Sequence, residues 1–312
     1  MPNTDNEEFR TIYRPPYSVD ASASAKMLNK YYDARKDGEI VDVVTLTEPY
    51  NVIGHHAFDF CHIKELTLPD TVIRLCRFAF ADCKTLKKIT LGKGIEKCGE
   101  DLIFRSGVQE VVWTKPIGKD VDEALLSLLY GLIREESTIF YNTNEVRLNR
   151  GRIFLQTGEA QKTFLLTYDG RSIRLPKCIN NYINMFVIQD MVHAALASGT
   201  KKISRSLLYH LILGTMQDFQ NKASVALELY ILEGSSDAKR YLQNNAVKIA
   251  KAFAEGKDDV ALSKFVSLGL MDEETIKKTM QITMEKKLQI STAYLLDEMR
   301  KRGLAVSDSL NL

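Results

Sequence analysis

The chain has 312 residues, 45% of them apolar and 26% charged, with a net charge of +2. It is long enough for two or three packed cores and lacks the charge excess of a nucleic-acid or membrane-surface binder. No run of about 18 apolar residues occurs, which excludes a membrane-spanning helix, and the polar, acidic start Met1 to Glu8 lacks the apolar run of a secretory signal.

Residues 1–40 are polar, with Pro15-Pro16 followed by a helical pattern from Ala23 to Ala34, and are expected to form an N-terminal cap. Beyond them the chain repeats itself. Ile53, Ala57, Phe58, Cys61, Ile63, Leu66, Leu68 and Val72 are answered by Leu75, Ala79, Phe80, Cys83, Leu86, Ile89, Leu91 and Ile95. A worn third copy follows as Cys98, Leu102, Ile103, Ser106, Val108, Val111 and Trp113, and Val43 to Leu46 fit a partial first one. One period of this length is too short to bury its own apolar face, so the copies must stack as coils and share a core.

The Ala57-Phe58, Cys61, Ile63, Leu66, Leu68 and Pro69 arrangement and its echo from Ala79-Phe80 to Leu91 resemble the BspA-type leucine-rich repeat of bacterial and protist proteins. The resemblance covers residues 41 to 115 and implies a leucine-rich-repeat β-solenoid. Members are often secreted or surface-anchored adhesins built from many repeats. The few repeats here and the polar N-terminus lead instead to the expectation of a cytoplasmic protein, secreted or surface-exposed if a signal peptide has been removed.

Alternation along the strands turns Leu66, Leu68, Ile89, Leu91, Val111 and Trp113 inward. It turns outward two rows: Val43, Glu65, Lys88 and Glu110, then Thr45, Thr67, Thr90 and Val112. Two readings of these rows stand side by side. One is sheet surface satisfied by its own cross-strand pairs, each worth roughly 0.2–1 kcal/mol. The other is a threonine-lined contact face. With nine basic and ten acidic residues between Val41 and Trp113, no positive stripe for phosphates is visible.

Cys61 and Cys83 hold one repeat position, and Cys76 and Cys98 are assigned to another. As small apolar groups they are expected to form a ladder in the core, and no CxxC pair argues for zinc or redox chemistry.

After Pro116, the spacing of Ala124, Leu125, Leu128, Leu129, Leu132 and Ile133 predicts a helix over 122–135. Residues 138 to 175 alternate, and Asp169-Gly170 marks a two-residue hairpin turn. Residues 116–177 are therefore expected to be a helix plus a small antiparallel sheet closing the solenoid.

Residues 178–312 read as helices broken near Ser198-Gly199, Gly214 to Asn221, Gly234 to Ser236, Gly256, Gly269 and Gly303. Ala246, Ala250, Ala254, Val260, Phe265 and Val266 recur at a constant offset as Ile276, Met280, Met284, Ile290, Leu295 and Leu296. Helix pairs of this size resemble ankyrin-type helical repeats. The fold class expected is thus α+β: a β-solenoid, a small antiparallel sheet and an all-α helical-repeat domain.

Chemistry-bearing motifs are sparse. His55, His56, Asp59, Cys61 and His62 form the one cluster of metal-ligand types, but the aligned second repeat has Arg77, Phe78, Ala81, Cys83 and Lys84, so the side chains read as solvated loop residues. His193 and His210 lie in apolar helical runs and read as packed or half-exposed. Ser198 to Lys201 matches SxxK without its companion motifs, and no nucleophile elbow, phosphate loop, dinucleotide fingerprint or HExxH occurs. No catalytic residue, metal or cofactor is expected.

The expected function is a non-enzymatic protein-interaction scaffold with a protein partner, no nucleic acid and no membrane, its candidate contact residues being Thr45, Thr67, Thr90, Val112, Glu65, Lys88 and Glu110. An extracellular adhesin, and a regulatory or nucleic-acid-associated protein acting through the helical half, are the alternatives.

Overall fold

A coil that cannot bury its apolar side alone must lay that side against the next coil, and the backbone hydrogen bonds of the chain show this stacking directly. The structure, a computed structural model, describes residues 26–33, 35–36, 39–118, 122–135, 161–179, 183–196, 209–210, 212–214, 216 and 218–304. Two compact units divide the chain. One comprises Met1–Arg134, Phe164–Ile173 and Val192–Thr200, the other Glu135–Thr163, Arg174–Met191 and Lys201–Leu312.

In chain order the strands up to Trp113 are β1 (Met27–Leu28), β2 (Arg35–Lys36), β3 (Glu39–Ile40), β4 (Val43–Thr45), β5 (Val52–Ile53), β6 (Glu65–Thr67), β7 (Arg74–Leu75), β8 (Lys88–Leu91), β9 (Lys97–Cys98) and β10 (Glu110–Trp113). Strands β1, β5, β7 and β9 pair in parallel along one side of the coils. Strands β4, β6, β8 and β10 pair in parallel in a second sheet. Between the sheets the coils are tied again: the Phe58 amide donates to the Ala79 carbonyl and the Phe80 amide to that of Leu102, both at 2.9 Å.

The side chains between the sheets are the core read from the repeat. Ile53, Phe58, Ile63, Leu66 and Val72 are buried, as are Leu75, Phe80, Leu86, Ile89 and Ile95 one coil later. Each such burial contributes about 1.5–3 kcal/mol that an isolated coil would forgo. Tyr31, Phe58 and Phe80 run through the stack, with successive ring centroids 4.9 and 5.5 Å apart. Trp113 lies at the last inward position, 1% exposed.

Each coil turns its corner with two left-handed residues that are not glycine. They are His56, Phe78 and Asp101 at the first bend and Phe60, Asp82 and Arg105 at the second, with φ between 53° and 61°. A side chain in this region costs energy, and here stacking from coil to coil holds it in place. At Phe60, Phe78 and Arg105 the bends leave no mark in the sequence, because Phe and Arg do not signal left-handed backbone, whereas His56, Asp82 and Asp101 are of types that tolerate it.

Three expectations are corrected. The helix expected from Ala23 to Ala34 is not formed at Met27–Leu28, which is β1; Leu28 is buried and its carbonyl accepts from the Gly54 amide at 2.9 Å. The open edge of β5 supplies hydrogen bonds that outweigh the local helical pattern. Residues 23–25 and Ala34 lie outside the described residues.

The second correction concerns cysteine. Ile53 pairs with Leu75, but the next coil is one residue longer, so Leu75 pairs with Cys98. Cys76 instead matches Gly99: their amides donate to the carbonyls of Ile53 and Leu75, at 2.8 and 2.7 Å. The ladder is therefore Cys61, Cys83 and Ser106, with the first two Sγ atoms 3.1 Å apart. A thiol contact with Cys61 and burial together push the Cys83 thiol up, and burial does the same to Cys98. Both are protonated, packed groups at neutral pH.

The third correction concerns the middle block. Its helix is α1 (Glu123–Leu132), followed by β11 (Arg134–Glu135) and then by β12 (Thr163–Tyr168), β13 (Arg171–Pro176) and β14 (Cys178–Ile179). The β12–β13 hairpin turns at Asp169 and Gly170, both left-handed, as its sequence predicts. It is not a sheet of its own: β12 pairs in parallel with β10, so the solenoid sheet has the order β13-β12-β10-β8-β6-β4. The exposed edge of β10 is the physical reason, and the Leu165 amide donates across it to the Gln109 carbonyl at 2.8 Å. The alternating residues 138–160 lie outside the described residues.

Helix α1 seals the other side of the last coil. Asp122 caps it, accepting from the amides of Ala124 and Leu125. The Gly131 carbonyl accepts from the Leu102 amide at 2.9 Å, the place a further coil would fill. Gly131 permits this approach, because a Cβ there would stand 2.8 Å from the Gly99 carbonyl oxygen.

The remaining helices are α2 (Ile183–Leu196), α3 (Phe219–Glu233), α4 (Ser236–Asn244), α5 (Ala246–Glu255), α6 (Asp259–Ser267), α7 (Glu273–Glu285) and α8 (Gln289–Lys301). Asp218, Ser235, Asp258 and Asp272 cap α3, α4, α6 and α7 through their side chains. Left-handed Gly234, Gly269 and Gly303 follow three of the helix ends. Two breaks have no glycine: α7 and α8 part at residues 286–288, where Lys287 is left-handed, and α4 and α5 part at Asn245, whose side-chain amide donates to the Tyr241 carbonyl at 2.9 Å. None of the described helices is long and apolar enough to cross a membrane.

The helical period read from the sequence is physical. The pair α5–α6 is repeated by α7–α8, with left-handed Lys257 and Lys287 at matching turns. Helix α8 has no side-chain cap from its own preceding residues, so Asp259 of the earlier pair provides one, accepting from the amides of Ile290 at 2.9 Å and Ser291 at 2.8 Å.

Two measurements check these seals. Gly→Ala inside a solvent-exposed helix normally stabilises, by about 1 kcal/mol, yet Gly131→Ala should destabilise the chain by about 1–3 kcal/mol in urea unfolding because the neighbouring backbone leaves no room. For Asp259, burial raises the carboxyl pKa but the bonds from Ser291 and Ile290 outweigh it, so the group is held below its usual 3.8. Its contribution is therefore present above that value and disappears as pH falls through the lower folded one. Asp259→Ala should cost about 1 kcal/mol at pH 7, and the difference from the native chain should vanish in strong acid.

Candidate functional site

The solenoid sheet has one face in the core and one face out, and its register fixes which side chains share the outer face. Val43, Glu65, Lys88 and Glu110 pair in sequence across the four strands, and Thr45, Thr67, Thr90 and Val112 do so in the next outward row. All seven residues expected in the contact face thus stand in two adjacent rows. Strand β12 adds Leu165 to the first row and Thr167 to the second. Sequence reading missed these two because alternation identifies a strand but not its partner, and α1 and a long further stretch of chain intervene between β10 and β12.

The rows are not uniform. Val43 is 59% exposed at the β4 edge, whereas Thr67, Lys88, Thr90, Glu110 and Val112 are partly covered. Lys88 Nζ lies 3.2 Å from Glu110 Oε2, and the Thr167 hydroxyl donates to Glu110 Oε1 at 3.1 Å. Glu110 is thereby fixed between two neighbours. The β4 end, with Val43, Thr45 and Glu65, is the open part, and the threonine row presents short side chains above a rigid backbone. Such a surface can receive an extended segment or a flat protein face, and its Glu110 carboxylate is already held by Lys88 and Thr167.

The metal-ligand types around His55 are dispersed by the coil. His56 stacks on Phe78 at 4.9 Å, and its Nδ1 lies 3.4 Å from Asp59. His62 faces Asp33, with Nδ1 2.8 Å from Oδ2, while Cys61 points inward to Cys83. Among the described residues no three His, Cys, Asp or Glu side chains converge in a way that could hold a metal. The His193 Nε2 donates to the Gly118 carbonyl at 2.7 Å, and His210 is exposed. Ser198 to Lys201 lie outside the described residues.

A second feature of the coil corners escaped the sequence reading. Phe78 and Phe104 follow His56 in an aromatic row, 5.7 Å apart, with the Arg77 guanidinium 4.6 Å from the Phe78 ring and that of Arg134 4.8 Å from Phe104. Arg77 also pairs with Asp101 and Arg105 with Asp82, at 3.1 and 3.0 Å. The row is braced by its own charges and fastens successive corners.

In the second unit, Glu228 accepts from the Lys162 and Thr163 amides and the Thr163 hydroxyl, at 2.6, 2.8 and 2.7 Å. Burial pushes its carboxyl up, against the pull of these bonds. Its oxygens are occupied in holding backbone.

Residues 42–123 match the family model of the BspA type leucine rich repeat region, in 6 copies. The match coincides with the stacked coils and the start of α1, so this stretch is similar to the BspA-type repeat region in the part of the chain where the coils stack. Among solved structures, a leucine rich cell surface protein from Faecalibacterium prausnitzii A2-165 is similar at 18% identity, with a TM-score of 0.25, covering 48% of this chain and 37% of that one. No curated protein matches the chain.

Proposed function

We propose that the chain is a non-enzymatic protein-interaction scaffold that receives a protein partner on the outer face of its solenoid sheet. The observation that carries this reading is the register aligning Thr45, Thr67, Thr90 and Val112 beside Glu65, Lys88 and Glu110 on backbone already fixed by stacking. A surface ordered before contact loses less conformational freedom on binding, so the same contacts give a tighter complex. The BspA-type segment supports it too, since leucine-rich repeats generally mediate protein interactions. Leu165 and Thr167 extend the proposed face.

Two locations suit this function. The five cysteines, all free, support a reducing, cytoplasmic setting. The BspA-type segment supports the cell surface, where the partner would be extracellular. Labelling of intact cells with an impermeant amine reagent separates them: modification of the chain places it outside, and its protection until lysis places it inside.

Thr67→Arg with Thr90→Arg tests the contact face. Both side chains point away from the core, so the double variant should keep the native melting temperature within a few degrees while losing the partner that the native chain captures from its own organism. Capture of the same partner by both proteins would move the site elsewhere.

A further inference from the structure

The repeat of the helix pairs permits a residue-by-residue comparison of a face that is covered with the same face left bare. Ala254, Ser263 and Val266 of α5–α6 are buried, in the pair over which α7–α8 stacks. One period on, the same positions of α7–α8 are Met284, Ala293 and Leu296. All three are exposed, Met284 by 44% and Leu296 by 39%. The last pair therefore carries much of the stacking face of the first, without a further pair upon it among the described residues. Terminal repeats ordinarily present a polar outer face. Here Lys301 stands where Met271 is buried one period earlier, but Met284, Ala293 and Leu296 keep the centre of the face apolar.

The exposed side of α8 is a shallow, open groove lined by Ala293, Leu296, Asp297, Arg300, Gly303 and Leu304. Its two charges have opposite sign and lie one helical turn apart, the Arg300 guanidinium reaching Asp297 at 2.7 Å. A two-fold axis across the groove would set each Asp297 against the other copy's Arg300 and each Leu296 against the apolar floor, so the face complements itself.

We infer that the α7–α8 face is the interface through which two copies of this chain associate, each copy's last helix pair taking the position that a further pair would hold. The bare apolar positions and the self-complementary charges select a second copy over a partner of other chemistry, the two copies meeting by the same face about the two-fold axis. This site is separate from the proposed contact face on the solenoid sheet and does not depend on it.

Sedimentation velocity on the full chain over a wide concentration range tests the inference. The native chain should move from monomer to a species of twice the mass, and Leu296→Glu should remain monomeric at every concentration with its melting temperature unchanged. Asp297→Arg and Arg300→Asp should each weaken the dimer, and an equimolar mixture of the two should recover it, because opposite charges then meet across the axis. Peroxide oxidation read by mass spectrometry supplies an independent measure. Met284 should be oxidised in the dilute monomer and protected in the dimer, whereas Met280, buried in both, should resist throughout. A native chain that stays monomeric, or a dimer indifferent to Leu296→Glu, overturns the inference. Protection of Met284 in the monomer also overturns it and shows that the chain covers this face itself.

Discussion

The first unit depends on one constraint: a single coil has an apolar side that it cannot bury and backbone groups that it cannot pair. Each neighbour solves both problems at once, taking the Phe58 ring against Phe80 and the Phe58 amide onto the Ala79 carbonyl. The solution leaves the same two problems at the ends of the stack. Here they are met by unlike pieces of chain, the Leu28 strand at one end and, at the other, α1 on one side and β12 on the other. Gly131 shows how closely such a substitute must fit, since even a methyl group would meet backbone.

The outer rows follow from the same constraint. Strand register is set by the core, because a slip of one residue would turn Leu66 and Ile89 outward. Once the inward residues are fixed, Thr67 and Thr90 have no choice of neighbour. A contact face built in this way is rigid without interactions of its own, and its residues are free to vary for a partner while the core keeps them in line. The helix pairs use a related economy, with Asp259 capping the helix of the following pair and so joining the repeats through a polar contact as well as through burial.

Much of this was legible in the residues. The repeat from Ile53 to Trp113 identified the stacked coils, their inward side chains and both outer rows, because burial in a strand has a period of two that a short alphabet of apolar residues records. The period of the helix pairs was legible for the same reason, and so was the Asp169-Gly170 turn. Sequence reading failed where pairing partners lie far apart in the chain. Thr167 joins the threonine row only because β12 returns to the edge of β10. Met27 and Leu28 read as helical because their local spacing allows it, and only the open edge of β5 decides otherwise. The extra residue between Leu75 and Cys98 displaced the Cys76 and Cys98 assignment by one position. The left-handed bends at Phe78 and Arg105 had no signal, since tertiary stacking rather than residue type holds them.

If stacking is what holds the first unit, its coils must stand or fall together. Native-state hydrogen exchange reads this directly at the amides that cross from coil to coil: Phe58, Leu68, Phe80, Gly99 and Leu102. The account predicts one opening free energy shared by all five, equal to that of global unfolding of the unit and lowered equally at all five by Gly131→Ala. Coils that exchange with separate free energies, with Gly131→Ala felt at Leu102 and not at Phe58, would contradict it.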